Sequence, residues 1–157
     1  FQPGSTVVTT TDEYTINGIL IEGTRTSTNI SGSTLEAPKF NAILSNGKAT
    51  FLADGTVTER ESNVTWQWVR AANPSEDYLV IDKSSTASGI ARGGRSYSVS
   101  LSKNLKYQRF CGIAVEGVKT YILDNTKEIT IDYGDGNCDK SVVISVNGVT
   151  RNLNVNS

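Results

Sequence analysis

The chain has 157 residues, 37% hydrophobic and 20% charged, which suits one domain with its own core and excludes a disordered segment. Fifteen Lys and Arg against 16 Asp and Glu leave a net charge of -1, without the basic excess that a nucleic-acid binder carries. No run approaches the roughly 18 consecutive apolar residues of a membrane-spanning helix, so no transmembrane segment is expected.

The elements follow from turn dipeptides separated by Thr, Val, Ile, Tyr and Ser in period-2 alternation. Strands are predicted near 5–16 and 19–30, flanking Asn17-Gly18, whose residues accept the positive φ angles of a type I′ hairpin turn. Strands near 39–45 and 48–53 flank the similar Asn46-Gly47, and Asp54-Gly55 leads into a strand near 56–70. Helix is confined to at most a turn near Ala71-Ala72-Asn73-Pro74, because no window carries apolar residues at i, i+3, i+4 and i+7. Further strands are predicted near 78–88, 95–102, 105–111, 118–123, 127–133, 140–146 and 149–155. With some of these merged or bent, the total is about ten or eleven. Arg92-Gly93-Gly94-Arg95 reads as a surface hairpin tip, and Asp135-Gly136 and Asn147-Gly148 as further turns.

Within strands the alternation assigns faces. Tyr97, Val99 and Leu101 alternate with Ser98 and Ser100, which predicts one buried face; Ile129, Ile131 and Tyr133 repeat the pattern, and so do Val142, Ile144 and Val146. These features predict a single all-β domain over 1–157: an antiparallel meander forming a β-sandwich or flattened barrel with long twisted strands.

The chemistry is narrowed by absences. The chain contains no His, which removes Ser-His-Asp and Cys-His nucleophilic systems and most catalytic zinc sites. Its two cysteines, Cys111 and Cys138, read most simply as one disulfide in an oxidising compartment, worth roughly 3 kcal/mol by loop entropy; two buried free thiols are the alternative. A carboxylate pair is then the remaining enzymatic option. Glu59 and Glu61 share a strand face, but Trp66 and Trp68 fall on the opposite one, so the two acids read as a solvated face. The expectation is no enzyme, no cofactor and no metal centre.

Trp66 and Trp68, at i and i+2, suit the core, a ligand platform stacking on sugar rings, or a contact between subunits. Asp135, Asn137 and Asp139 have the spacing that opens a calcium loop, but Lys140 replaces the Gly and Val146 the Glu that the loop requires. Turn chemistry presenting Cys138 is the first reading there, and a calcium site the second. Asn29-Ile30-Ser31 and Asn63-Val64-Thr65 match the glycosylation sequon.

The run from Glu128 through Ile129-Thr130-Ile131-Asp132-Tyr133-Gly134-Asp135-Gly136-Asn137-Cys138-Asp139, closing in Val146-Asn147-Gly148-Val149-Thr150, resembles uncharacterised cell-surface lipoproteins of Bacteroidota. Pro3-Gly4-Ser5-Thr6, Glu22-Gly23-Thr24-Arg25-Thr26, Asp54-Gly55-Thr56 and Arg109-Phe110-Cys111 extend the resemblance along nearly the whole chain. It implies an extracellular or outer-surface location and no reaction. Members carry a lipid-anchor Cys and a further β segment before the Pro-Gly-Ser motif, so a chain opening at Phe1 without Met is expected to be processed or a fragment lacking that segment. The expected function is structural or interactive: self-association or binding of another surface protein, with a strand from a neighbour completing the sheet of a filament subunit. A glycan-binding module using Trp66 and Trp68 is the alternative.

Overall fold

The computed structural model of the protein describes residues 2–155. Its strands are β1 (Thr6–Ile16), β2 (Ile19–Asn29), β3 (Lys39–Phe51), β4 (Thr56–Val69), β5 (Tyr78–Ile81) and β6 (Thr86–Ile90). These are followed by β7 (Ser96–Gln108), β8 (Ala114–Leu123), β9 (Lys127–Asp135), β10 (Ser141–Val146) and β11 (Val149–Asn154). The only helical turn among the described residues is Pro74–Glu76, capped by the Asn73 side chain, beside the place the sequence left open for one.

All the strands join one antiparallel sheet that follows chain order. The two exceptions, β5 and β6, share a single position between β4 and β7. The sheet therefore has an even number of strand positions, and β1 and β11 form its edges. No pairing joins β1 to β11 among the described residues. The all-β meander is thus an open single sheet, not two packed sheets or a closed barrel.

Three details depart from the sequence pattern. Asn46-Gly47 does not turn the chain but sits inside β3, merging 39–45 with 48–53. Asn46 has a φ of 53°, and a Cβ on Gly47 would lie 2.6 Å from the Arg60 carbonyl oxygen, so the pair forms a bulge that only glycine fits. The same left-handed tolerance serves a hairpin or a bulge; here the neighbouring strands continue past it, with bulges at the same level in β1 and β2. The segment near 78–88 is broken, since residues 82–85 leave the ladder. The Asp82 N–H donates to the Thr65 carbonyl and the Thr65 N–H to Ser85 Oγ, so a side chain takes over where the backbone departs. Finally, 95–102 and 105–111 merge in β7, which ends at Gln108.

Register makes the two faces explicit, because directly paired residues project to the same side. One row crosses the whole sheet: Thr9, Arg25, Leu44, Ser62, Ala87, Val99, Tyr121, Ile129, Val146 and Val149. A second row on this largely apolar face runs Phe40, Trp66, Ile81 and Leu105. The opposite face is rich in hydroxyls and amides, with Val8, Ile43, Ile122 and Val143 exposed among them: Ser100, Thr120, Thr130, Ser145 and Thr150 form one row, and Thr6, Thr28, Asn41 and Thr65 another. Hydroxyls meet there at 3.1 Å for Thr6 and Thr28 and 3.3 Å for Thr120 and Thr130, while Asn41 donates to both Asn63 and Thr65.

The deepest burial is on the disulfide side of the sheet. Val115 is 1% exposed and Cys111 2%, with Leu105, Ala114 and Val142 also buried. Cys111 and Cys138 are bonded, their Cα atoms 5.7 Å apart. The bond joins the β7–β8 turn to the β9–β10 connection, where the Gly136 N–H donates to the Val115 carbonyl and the Gln108 amide to the Gly136 carbonyl. With so few wholly buried side chains, the cross-link is a large part of what holds this corner. Reduction, or Cys111→Ala with Cys138→Ala, is expected to lower unfolding free energy by about 3 kcal/mol in urea titrations, with the strand circular-dichroism signal retained at zero urea.

Candidate interaction surface

Trp66 and Trp68 project from the C-terminal half of β4 onto the apolar face and are half-buried. The Trp66 ring stacks on Phe40 with centroids 4.7 Å apart, so one of its two faces is already covered. Trp68 is registered with Leu79, and Leu79 with Tyr107. The two indoles thus belong to a partly covered apolar surface rather than a sealed core. Beside them, Val64, Ile81, Ala87, Leu101 and Leu105 line a cavity of about 120 Å³ with Arg60, Lys119, Tyr107 and Tyr121 at its polar positions.

That cavity borders a tyrosine group that the linear pattern does not reveal as a group. Tyr133 of β9 has its pKa pushed up to about 12 by burial first and then by Tyr107 and Tyr121. Lys119 lies 4.8 Å over the Tyr121 ring, a cation–π contact. Alternation had placed Tyr133 on the buried face; its meeting with side chains from β7 and β8 depends on register.

The other candidates are separate from this surface. Glu59 and Glu61 are exposed on the opposite face of β4, where a Glu61 oxygen accepts the Asn46 N–H at 2.6 Å and holds the β3 bulge. Asp135, Asn137 and Asp139 spend their side chains locally: Asn137 donates to Asp135, and Asp139 accepts the Ser141 N–H. No group of three or more His, Cys, Asp or Glu suited to a metal ion occurs among the described residues. Asn29 of the first sequon is buried, whereas Asn63 of the second is exposed and bonded to Asn41. No described helix is long and apolar enough to cross a membrane.

At the tip of the β3–β4 turn, Asp54 accepts from Thr56 and from Arg92 of the β6–β7 turn, which hold its carboxyl at about 2. Arg92 also caps the Phe51 ring at 4.0 Å, tying two hairpin tips together. Two loop residues are far more exposed than apolar side chains usually are: Leu35 at 84% and Phe110 at 83%. Phe110 has a φ of 69°, uncommon for so bulky a residue, and it immediately precedes Cys111.

The edges carry the largest share of exposed apolar side chains. Of the 14 large apolar residues exposed among those described, Val7, Val8, Tyr14 and Ile16 lie on β1, Val149 and Leu153 on β11, and Val155 just after it. Sequence reasoning located both strands but not their role, since edge status follows from the order of strands in the sheet.

Tyr133 gives a pH test. Its folded pKa lies above the ordinary value of 10.0, so its contribution to stability is complete below pH 10 and is lost as pH rises towards about 12. In an absorbance titration a tyrosine step is expected near pH 12, and Tyr133→Phe should remove that step. No protein-family model, curated protein or solved structure matches this chain.

Proposed function

We propose that this protein is a non-enzymatic structural or interaction protein of the cell exterior that works by associating with further copies of itself. The observation that carries this reading is the surface left uncovered. The chain exposes 9706 Å², whereas a compact monomer of its mass exposes roughly 7,700 Å². The excess comes from a sheet that presents its apolar face half-covered and its edge strands bare. Exposed apolar side chains such as Val7, Val8, Val149 and Leu153 along the edges are a common mark of an interface.

The disulfide supports placement in an oxidising compartment, since such bonds persist outside the cytosol. The resemblance to Bacteroidota surface lipoproteins points the same way. A glycan platform on Trp66 is less favoured, because Phe40 already occupies one face of that indole. The native chain is expected to show concentration-dependent assembly in analytical ultracentrifugation, with extended particles in electron microscopy. A strict monomer across the micromolar range would overturn the reading.

A further inference from the structure

Given the self-association proposed for this protein, on which this inference rests, the edge strands supply the contact between copies. We propose that copies join head to tail, β11 of one adding to β1 of the next to continue the meander from chain to chain.

The direction of the strands permits this. Neighbouring positions alternate in direction and their number is even, so β1 and β11 run oppositely. Set side by side with the sheets in the same orientation, they form an antiparallel pair, the type made by every other pairing in the structure.

The outward hydrogen-bonding groups also match. The Asn29 N–H donates to the Ser5 carbonyl at 2.9 Å, which fixes the phase of the β1–β2 ladder. Hydrogen-bonded and non-bonded pairs alternate in antiparallel sheets. Thr6, Val8 and Thr10 are therefore the non-bonded positions, and the close hydroxyl pairs Thr6–Thr28 and Thr10–Thr24 agree with that phase. Their backbone N–H and C=O groups point away from the sheet. On the other edge the Val155 N–H donates to the Lys140 carbonyl at 2.8 Å, so Thr150, Asn152 and Asn154 point outward. Both outward sets carry their side chains on the hydroxyl-rich face. Pairing them sets Thr6, Thr10 and the exposed Val8 beside Thr150, Asn152 and Asn154, and leaves Val7 on the same side as Val149 and Leu153.

Length and charge fit as well. The bulge between Thr11 and Tyr14 limits the flat part of β1 to Thr6–Thr11, the same length as the 6-residue β11. The only charged residues of β1 are Asp12 and Glu13, and the only one of β11 is Arg151. Neither strand contains Lys or Pro, the residues that commonly protect an edge from pairing. A contact between two different surfaces propagates as a ring or an open filament.

Proline at an outward position tests this, because it deletes a donor that no internal bond uses. Val8→Pro should retain β11 as a joining edge and Asn152→Pro should retain β1. Each variant alone is expected to remain monomeric, its association weakened roughly tenfold or more. An equimolar mixture of the two should give a 1:1 heterodimer, which also shows that both are folded. Independently, the Val8 and Asn152 amides of the wild-type chain should gain hydrogen-exchange protection on assembly.

Assembly by Asn152→Pro alone would reveal β1–β1 pairing, and assembly by Val8→Pro alone β11–β11 pairing; either overturns the head-to-tail assignment. So does an absence of protection at both amides in assembled wild type. Wild-type assembly untouched by both prolines would remove the edge contact while leaving self-association intact. A monomeric wild type would remove both.

Discussion

An antiparallel meander satisfies the backbone of each inner strand from both sides and must leave half the backbone of its first and last strands without a neighbour in the sheet. That constraint governs the rest of this structure. Because β5 and β6 share one position, the strand positions are even in number and the two open edges run in opposite directions. One face gathers Leu44, Val99, Ile129 and Val146, and the other gathers hydroxyls such as Thr120 and Thr130. Such a sheet has a definite inside and outside but lacks a second layer to finish the inside, and it is in this sense that the fold points towards partners.

The disulfide is best understood against that thin core. Val115 and Cys111 are the largest side chains that are fully buried among the described residues, and both belong to the corner where β7 turns into β8. A cross-link to the β9–β10 connection restrains the unfolded chain where apolar burial is modest. The opposite side relies on surface ties, such as Arg92 reaching from one hairpin tip to Asp54 and Phe51 of another. Each such contact is exposed and individually weak.

Much of the fold could be read from the chain because the signals were local. Asn17-Gly18 and Asn147-Gly148 make the predicted turns, and the alternation around Val99, Ile131 and Ile144 gives the correct faces. Asn46-Gly47 misled because an Asn in the left-handed region followed by Gly serves a bulge as readily as a turn, and the choice depends on the strands opposite, where Gly23 and Arg60 approach. The break at 82–85 was likewise invisible, since Ser85 replaces a backbone partner only when Thr65 lies alongside. The candidate surface was less legible still: Trp66 stands out by residue type, but its stacking on Phe40 and the grouping of Tyr107, Tyr121 and Tyr133 come from residues far apart in the chain.

The sequence by itself determined the class of structure: strands from β-branched alternation, turns from Asn-Gly and Asp-Gly, and a disulfide reading from two cysteines in a chain without His. It also set against the catalytic systems that depend on imidazole. Only the tertiary structure decided that the meander stays open, which strands form its edges, and that the residues with outward amides carry their side chains on the same face. These depend on strand order and hydrogen-bond phase, which arise from pairing between distant segments and leave no local mark on the residues that carry them.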